Sequence, residues 1–184
     1  MALARRQWAA DLLHFWFHEL GPADWWGGSE SLDSRMEKRF RRDLEALSSC
    51  GARSFLTDPQ TALAAVLLFD QVPRNVFRGS ARAFATDPLA LAITHGALER
   101  HYLPRLRRVQ RQFLAMPLMH SEHIADHRLN LRLFARINGG ANLGFARSHA
   151  RMIARFGRYP HRNEVLGRES TPAEKRAVAA GFAW

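Results

Sequence analysis

Cysteine is almost absent from this sequence. Cys50 is the single thiol in 184 residues, which excludes an internal disulfide framework. Such frameworks belong to oxidising compartments, so we expect a cytoplasmic protein. Long apolar runs are missing as well: the longest, residues 62–69, falls far short of the about 20 residues that cross a bilayer. Arg5, Arg6 and Asp11 interrupt the N-terminal segment, and we expect neither a secretory signal nor contact with a membrane.

The sequence also lacks strand-like alternation, whereas signals for helix starts and stops are frequent. The spacing of apolar residues and the positions of these start and stop signals predict about eight helices joined by short loops. Because there is no linker or low-complexity tract, we expect a single all-α domain over residues 1–184, with antiparallel helical hairpins forming a bundle or a short superhelix. No phosphate-binding loop, dinucleotide fingerprint or Gly-x-Ser-x-Gly turn is present, and no cofactor is predicted.

Caps, prolines and glycines set the expected helix boundaries. Asp58-Pro59, Asp87-Pro88 and Thr171-Pro172 each combine a capping side chain with proline at the first helical position. Pro73 and Pro117 are expected to end helices, because proline removes a backbone donor. The predicted helices cover about 5–18, 32–49, 58–69, 87–102, the stretch after Pro104, a segment capped by Ser121, 141–156 and a short segment from Thr171.

Lysine is scarce while arginine is abundant. The chain has 27 basic and 17 acidic residues, a formal net charge of +10, and only Lys38 and Lys175 are lysines, which leaves 25 arginines. Arginine forks suit carboxylates and phosphates, but a GC-rich genome accounts for most of the excess equally well. One alternative prediction is non-specific nucleic-acid binding through an Arg-rich helix at 100–111, although no helix-turn-helix, zinc-finger or RNA-recognition signature accompanies it.

Two segments share a proline, arginine and asparagine pattern. Residues 69–75 and 156–163 each leave a helix, turn at proline and present arginine beside asparagine. Such loops either fasten helix ends together or hold an anion, and the residues alone leave both interpretations open. The candidate ligand-binding residues are Asp70, Gln71, Arg74 and Asn75 in the first segment, Arg78 just after it, and Arg158, His161, Arg162 and Asn163 in the second.

A third polar segment contains His120, Ser121 and Glu122. A histidine paired with a carboxylate can move protons near neutral pH, so His120 is the candidate proton carrier and Glu122 its candidate partner. His149, on the helix that leads into the second segment, is expected near the same place. The resulting hypothesis is acid–base catalysis on a small anionic substrate. The anion would be held by Arg74, Arg158 and Arg162.

The same segments resemble the signature blocks of the bacterial family known as domain of unknown function 924. The matching stretches are 68–79, 120–122, 156–163 and 166–168, together with the start at 15–17 and the ending at 170–172. The resemblance extends over nearly the whole chain. It implies an all-helical, tetratricopeptide-like fold and carries no established activity with it.

His123 and His127 lie four residues apart, a spacing that zinc ligands use on a helix. In the family pattern these two positions are usually Asp and Gln, so the resemblance implies no shared metal site, and none is predicted. The arginines from Arg105 to Arg111 also depart from that pattern.

A protein-interaction module is a further alternative, because helical-hairpin superhelices present grooves to partners. Trp25 and Trp26, beside two glycines, are expected to form a lid or an edge of the pocket, whereas Trp16 is expected in the core. No signal in the sequence selects an oligomeric state.

Overall fold

The regular elements of the protein are all helical in the computed structural model, which describes residues 7–140 and 142–182. The all-α prediction is therefore confirmed. The predicted helix starts at Arg5 and Ala141 lie outside the described residues. The helices are α1 (Gln7–His14), α2 (Pro22–Trp26), α3 (Glu30–Leu47), α4 (Pro59–Val66), α5 (Val72–Val76), α6 (Asp87–Glu99), α7 (Arg108–His120), α8 (Ile124–Phe134), α9 (Leu143–Phe156) and α10 (Pro172–Ala179).

Helix α4 lies at the centre of the fold and packs on α1, α6 and α7. Every residue from 61 to 66 is buried, as expected for a helix that is apolar on most sides. Its start is confirmed, because the Asp58 carboxylate accepts hydrogen bonds from the backbone N–H groups of Gln60 and Thr61, and Pro59 follows as the first helical residue. The main apolar core extends outward from this helix.

The chain does not leave the helix at Pro73, and this expectation was wrong. A π-helical turn, Leu67–Gln71, connects α4 directly to α5, and Pro73 lies within α5. In the π turn the Val72 N–H donates to the Leu67 carbonyl. The carbonyl of Phe69, which faces a residue with no N–H, accepts a 2.6 Å hydrogen bond from the Thr86 hydroxyl instead. The first Pro-Arg-Asn segment is therefore helical.

Three other boundary expectations were also wrong. Pro117 lies inside α7, which continues to His120. The N-cap of α8 is His123, although the Ser121 hydroxyl does accept its backbone N–H at 3.1 Å. Asp87 is the first residue of α6 rather than its cap, and its carboxylate serves arginine side chains instead.

The basic segment 100–111 is not one helix. It contains the residue after α6, a short 3-10 turn (Leu103–Arg105) and the start of α7. Two of its arginines donate to backbone carbonyls: Arg100 to Gly96, and Arg111 to Leu106 and Pro104. The single Arg-rich helix that the nucleic-acid alternative assumed is therefore not formed.

Successive helices pack on one another in the second half of the chain: α6 on α7, α7 on α8, and α8 on α9. A smaller apolar cluster of Met152, Ile153, Tyr159 and Ala177 attaches α10. The predicted capping box at Thr171 and Glu174 is confirmed. Among the described residues no helix is long and apolar enough to span a membrane.

Candidate functional site

A cleft of about 320 Å³ lies where α2, α5, the end of α7, α9 and the turn after Tyr159 meet. Ligand pockets usually have volumes of about 300–1,000 Å³, so this one suits a small molecule. Eight of the twelve predicted site residues line it, namely Gln71, Arg74, Asn75, Arg78, His120, His149, His161 and Arg162. Asp70 is fully buried behind this lining.

The buried Asp70 organises the floor of the cleft. Its Oδ1 lies 2.7 Å from Nδ1 of His120, and its Oδ2 accepts a 2.6 Å hydrogen bond from the Gln71 amide. Arg74 follows one turn later, and its Nη1 is 3.3 Å from Asp70 Oδ1. The π turn brings these side chains together, because it continues the helix into α5 while turning Asp70 towards α7.

The charges around Asp70 determine the protonation of His120. Burial alone would raise the pKa of the Asp70 carboxyl, but the charge of Arg74 and the hydrogen bond with His120 hold that pKa well below its ordinary value. Burial also lowers the pKa of His120, with Asp70 opposing this effect. At neutral pH His120 is therefore uncharged, and the contact with an ionised Asp70 assigns the proton to Nδ1. Nε2 keeps its lone pair.

Asp87 connects the two arginine-containing segments. Its carboxylate accepts two hydrogen bonds from Arg74, at 2.9 and 3.0 Å, and a longer one of 3.3 Å from Nη1 of Arg162. A bidentate pair of this kind fixes the plane of the Arg74 guanidinium. The segments therefore meet across the first residue of α6.

The Arg162 guanidinium is held between two aromatic rings. Its central carbon lies 4.5 Å from the ring centroid of Phe84 and 4.6 Å from that of Tyr159. Nη1 contacts Asp87, while Nε and Nη2 have no hydrogen-bond partner among the described residues. Burial and the neighbouring charge of Arg74 lower the pKa of Arg162. A negative charge in the cleft would therefore be stabilised here.

Two further histidines line the same cleft. Burial lowers the pKa of His149 to about 3, and burial together with the charge of Arg162 lowers that of His161 to about 4. Nδ1 of His149 is 2.8 Å from the Phe145 carbonyl. Both rings pack against Tyr159, with centroids 5.7 and 5.4 Å from it. The three cleft histidines are thus neutral at pH 7. They contribute polar ring nitrogens to the cleft and no positive charge.

Three predicted site residues lie away from this cleft and have other partners. Glu122 does not pair with His120; it binds Arg168 through two hydrogen bonds of 2.8 and 3.0 Å and accepts the Tyr159 N–H at 2.7 Å. Arg158 binds Glu174 on α10 in the same bidentate way. The Asn163 amide donates to the Ser170 hydroxyl. These three contacts fasten the C-terminal segment, and Asp70 takes the place expected for Glu122.

Tryptophans form the far wall of the cleft. The chain turns through a second π-helical segment, Phe15–Glu19, and the Trp25 indole donates to the Trp16 carbonyl at 2.9 Å. Both side chains line the cleft. Trp25 was expected there. Trp16 was expected in the core, and it is indeed buried, but one side of it also faces the cleft. Trp26 is 55% exposed and stacks on Phe113 instead.

Sequence reasoning missed Asp87 and Phe84 as site residues. Asp87 was interpreted as a helix cap, and nothing in the local pattern marks Phe84. A second cleft, also of about 320 Å³, shares His120, Phe84 and Arg162 with the first and contains Glu122. These three shared side chains therefore separate two open spaces.

The predicted absence of a histidine metal site stays a prediction. His123 is exposed at the start of α8, whereas His127 is buried with Nε2 2.8 Å from the Ser121 carbonyl. Among residues 7–140 and 142–182, no three His, Cys, Asp or Glu side chains converge as metal ligands.

Comparison with known proteins gives the family. The family profile described as "Bacterial protein of unknown function (DUF924)" matches residues 12–181. This chain belongs to that family. A solved structure of a protein of unknown function, ATU0120 from Agrobacterium tumefaciens, is 36% identical, with a TM-score of 0.88 over 94% of this chain and 97% of that one. A search of curated proteins found no match. The resemblance noted from the sequence is confirmed for the family and for the all-helical fold.

Proposed function

We propose that this DUF924 protein binds a small anionic molecule in the cleft and acts on it by proton transfer. One observation carries the proposal: His120 and Arg162 line the same cleft, each held in place by buried or aromatic partners. Arg162 offers a preorganised guanidinium whose Nη2 has no hydrogen bond to a described residue. Such a group suits a carboxylate or a phosphate.

The Asp70–His120 pair supports a general-base role. A buried carboxylate that accepts the Nδ1 proton orients the ring, so that the Nε2 lone pair is the proton acceptor. The lowered pKa of His120 keeps this nitrogen unprotonated at neutral pH. Gln71 and Asn75, from the same helical segment, add neutral polar groups that can orient the ligand. We place this activity in the cytoplasm, on the basis of the single thiol.

A thermal-shift series tests binding. The protein is titrated with phosphate, pyrophosphate, phosphate monoesters and small carboxylates. At a hundredfold excess over Kd, a true ligand adds about 2.7 kcal/mol to the free energy of unfolding. Arg162→Gln should abolish this gain. Arg158→Gln, which loses an arginine of the same segment outside the cleft, should retain it. The proposal fails if both variants keep the shift, or if Arg158→Gln alone loses it.

A second variant separates binding from proton transfer. His120→Gln keeps a polar side chain without a titratable base, so an anion identified by the thermal-shift series should still bind within a few-fold. Turnover of that compound should fall by about 10²–10⁴-fold, the usual contribution of a positioned base. Unchanged turnover in His120→Gln would remove the catalytic half of the proposal and leave a binding protein.

A further inference from the structure

Two rows of arginines lie on the exposed faces of α8 and α9. The α8 row is Arg128 and Arg132, continued by Arg136 in the turn just after the helix; the α9 row is Arg147, Arg151 and Arg155. All six side chains are exposed. Residues four apart lie on one helix face, and each row is opposite the buried face of its helix. Because α8 packs on α9, both rows belong to one helical hairpin.

No carboxylate balances these rows. From residue 127 to residue 163 the sequence has eight arginines and neither Asp nor Glu, and none of the six row arginines forms an ion pair with a described residue. Helix α3 of the same chain shows the contrasting pattern, since its Arg41 is flanked by Glu37 and Glu45 at the same spacing. A general excess of arginine does not account for this difference between helices.

Unbalanced rows disfavour their own helices. Like charges four residues apart destabilise a helix, and α9 contains two such pairs while α8 contains one. A surface that served only solubility would gain as much from mixed charges, as on α3. The rows are thus best explained by a partner that supplies the negative charge.

We propose that these rows bind the phosphate backbone of nucleic acid without reading its sequence. The α9 row extends over about 12 Å of helix axis, given a rise of about 1.5 Å per residue. Over that length one strand of a duplex presents about three to four phosphates. Arginine is also the cation best suited to bidentate phosphate contacts. This surface is separate from the cleft, which α9 lines from its opposite side through His149.

The exposed apolar residues of the hairpin favour nucleic acid over a membrane. A helix that lies on a lipid surface needs large apolar side chains along its length. Here the large apolar residues with high exposure are Ile124 and Phe145, and each is confined to the first turn of its helix. The same shortage of apolar anchors disfavours a protein interface, which usually has a central aromatic or aliphatic anchor.

The test measures fluorescence anisotropy of a labelled 20-base-pair DNA duplex and a 20-nucleotide RNA from 50 to 300 mM salt. Two variants replace the rows: Arg128→Gln/Arg132→Gln/Arg136→Gln and Arg147→Gln/Arg151→Gln/Arg155→Gln. A third, Arg42→Gln/Arg53→Gln/Arg176→Gln, removes three exposed arginines elsewhere and so matches the loss of charge. Glutamine preserves helix propensity.

We expect each row variant to weaken binding at least about tenfold at 50 mM salt, and to reduce the slope of log K against log salt on the duplex by about two to three. The control variant should change binding less than about threefold. Equal loss in the control would show that only net charge matters and would overturn the proposal. Failure of the wild-type protein to bind either probe would overturn it as well. A parallel assay measures sedimentation with phosphatidylserine vesicles. Row-dependent binding to the vesicles but to neither nucleic acid would overturn the proposal too, because it would assign the rows to a membrane surface.

Discussion

At the scale of single residues, Asp70 is the side chain on which the cleft depends most. It is fully buried, and its partners His120, Gln71 and Arg74 come from two helices. A buried carboxylate is stable only when its charge is matched, so removing that charge leaves Arg74 less compensated and deprives the His120 ring of its acceptor. Removing one partner of an exposed ion pair costs less free energy, because water solvates the charge that remains.

Replacing Asp70 by Asn should cost about 3–5 kcal/mol of unfolding free energy, because it breaks a buried ion pair. Asp33→Asn is the matched control. It removes the same charge from the pair with Arg78, which is 54% exposed, and should cost at most about 1 kcal/mol. Urea unfolding followed by circular dichroism measures both. A similar cost for the two variants would mean that Asp70 is not a structural centre of the site.

At the scale of elements, the π turn decides where the site residues lie. A regular α-helix through 67–76 would place the Pro73 ring against the Phe69 carbonyl. It would also lack the extra residue of the π turn, so the side chains that follow would face a different direction. The observed turn avoids that contact and leaves the Phe69 carbonyl to the Thr86 hydroxyl. This hydrogen bond joins α4 and α5 to the start of α6, where Asp87 holds both arginines.

Thr86→Val should therefore destabilise the protein by about 1–3 kcal/mol, because it leaves a buried carbonyl without a partner while keeping the shape of the side chain. Thr57→Val removes an exposed 3.2 Å hydrogen bond to the Asp58 carboxylate, which water can replace, and should change stability by no more than about 0.5 kcal/mol. Urea midpoints at equal m-values give the comparison. A neutral Thr86→Val would indicate that water or another donor takes over the Phe69 carbonyl.

At the scale of the whole molecule, the buried histidines link stability to pH. The pKa of His149 is lowered from its ordinary 6.5 to about 3, and that of His161 to about 4. Both remain neutral in the folded protein while the unfolded chain takes up protons as the pH falls below 6.5. Above pH 6.5 both histidines are neutral in the folded and in the unfolded chain, so they do not oppose folding. As the pH falls from 6.5 towards 4, only the unfolded chain binds these protons, and the free energy of unfolding decreases.

The free energy of unfolding should thus decrease between pH 7 and pH 4, by up to about 1.4 kcal/mol per pH unit for each such histidine. His149→Gln should flatten the profile, whereas His18→Gln, at an exposed position, should leave it parallel to that of the wild type. Denaturation curves collected at half-unit pH steps provide the profile. A His149→Gln profile as steep as the wild type would assign the acid sensitivity to other groups.

Local signals predicted the elements of this fold well, because caps and apolar periodicity act over one or two turns. Asp58-Pro59 and the Thr171 capping box began helices where expected, and Gly157 ended α9 with a left-handed backbone, φ +70°. Predictions that rested on proline as a helix end were wrong. Pro73 and Pro117 both lie within helices, since tertiary partners such as Thr86 can satisfy the carbonyl that a proline leaves free.

Helical periodicity and capping signals thus determined from the sequence alone that the protein is helical, and residue type predicted that the two arginine segments and His120 lie close together. Only the tertiary structure decided which charges meet. Asp70 rather than Glu122 pairs with His120, Arg158 turns to Glu174, and Asp87 bridges Arg74 and Arg162. Pairing of this kind depends on contacts between residues 13 to 75 positions apart, and no local pattern encodes their geometry.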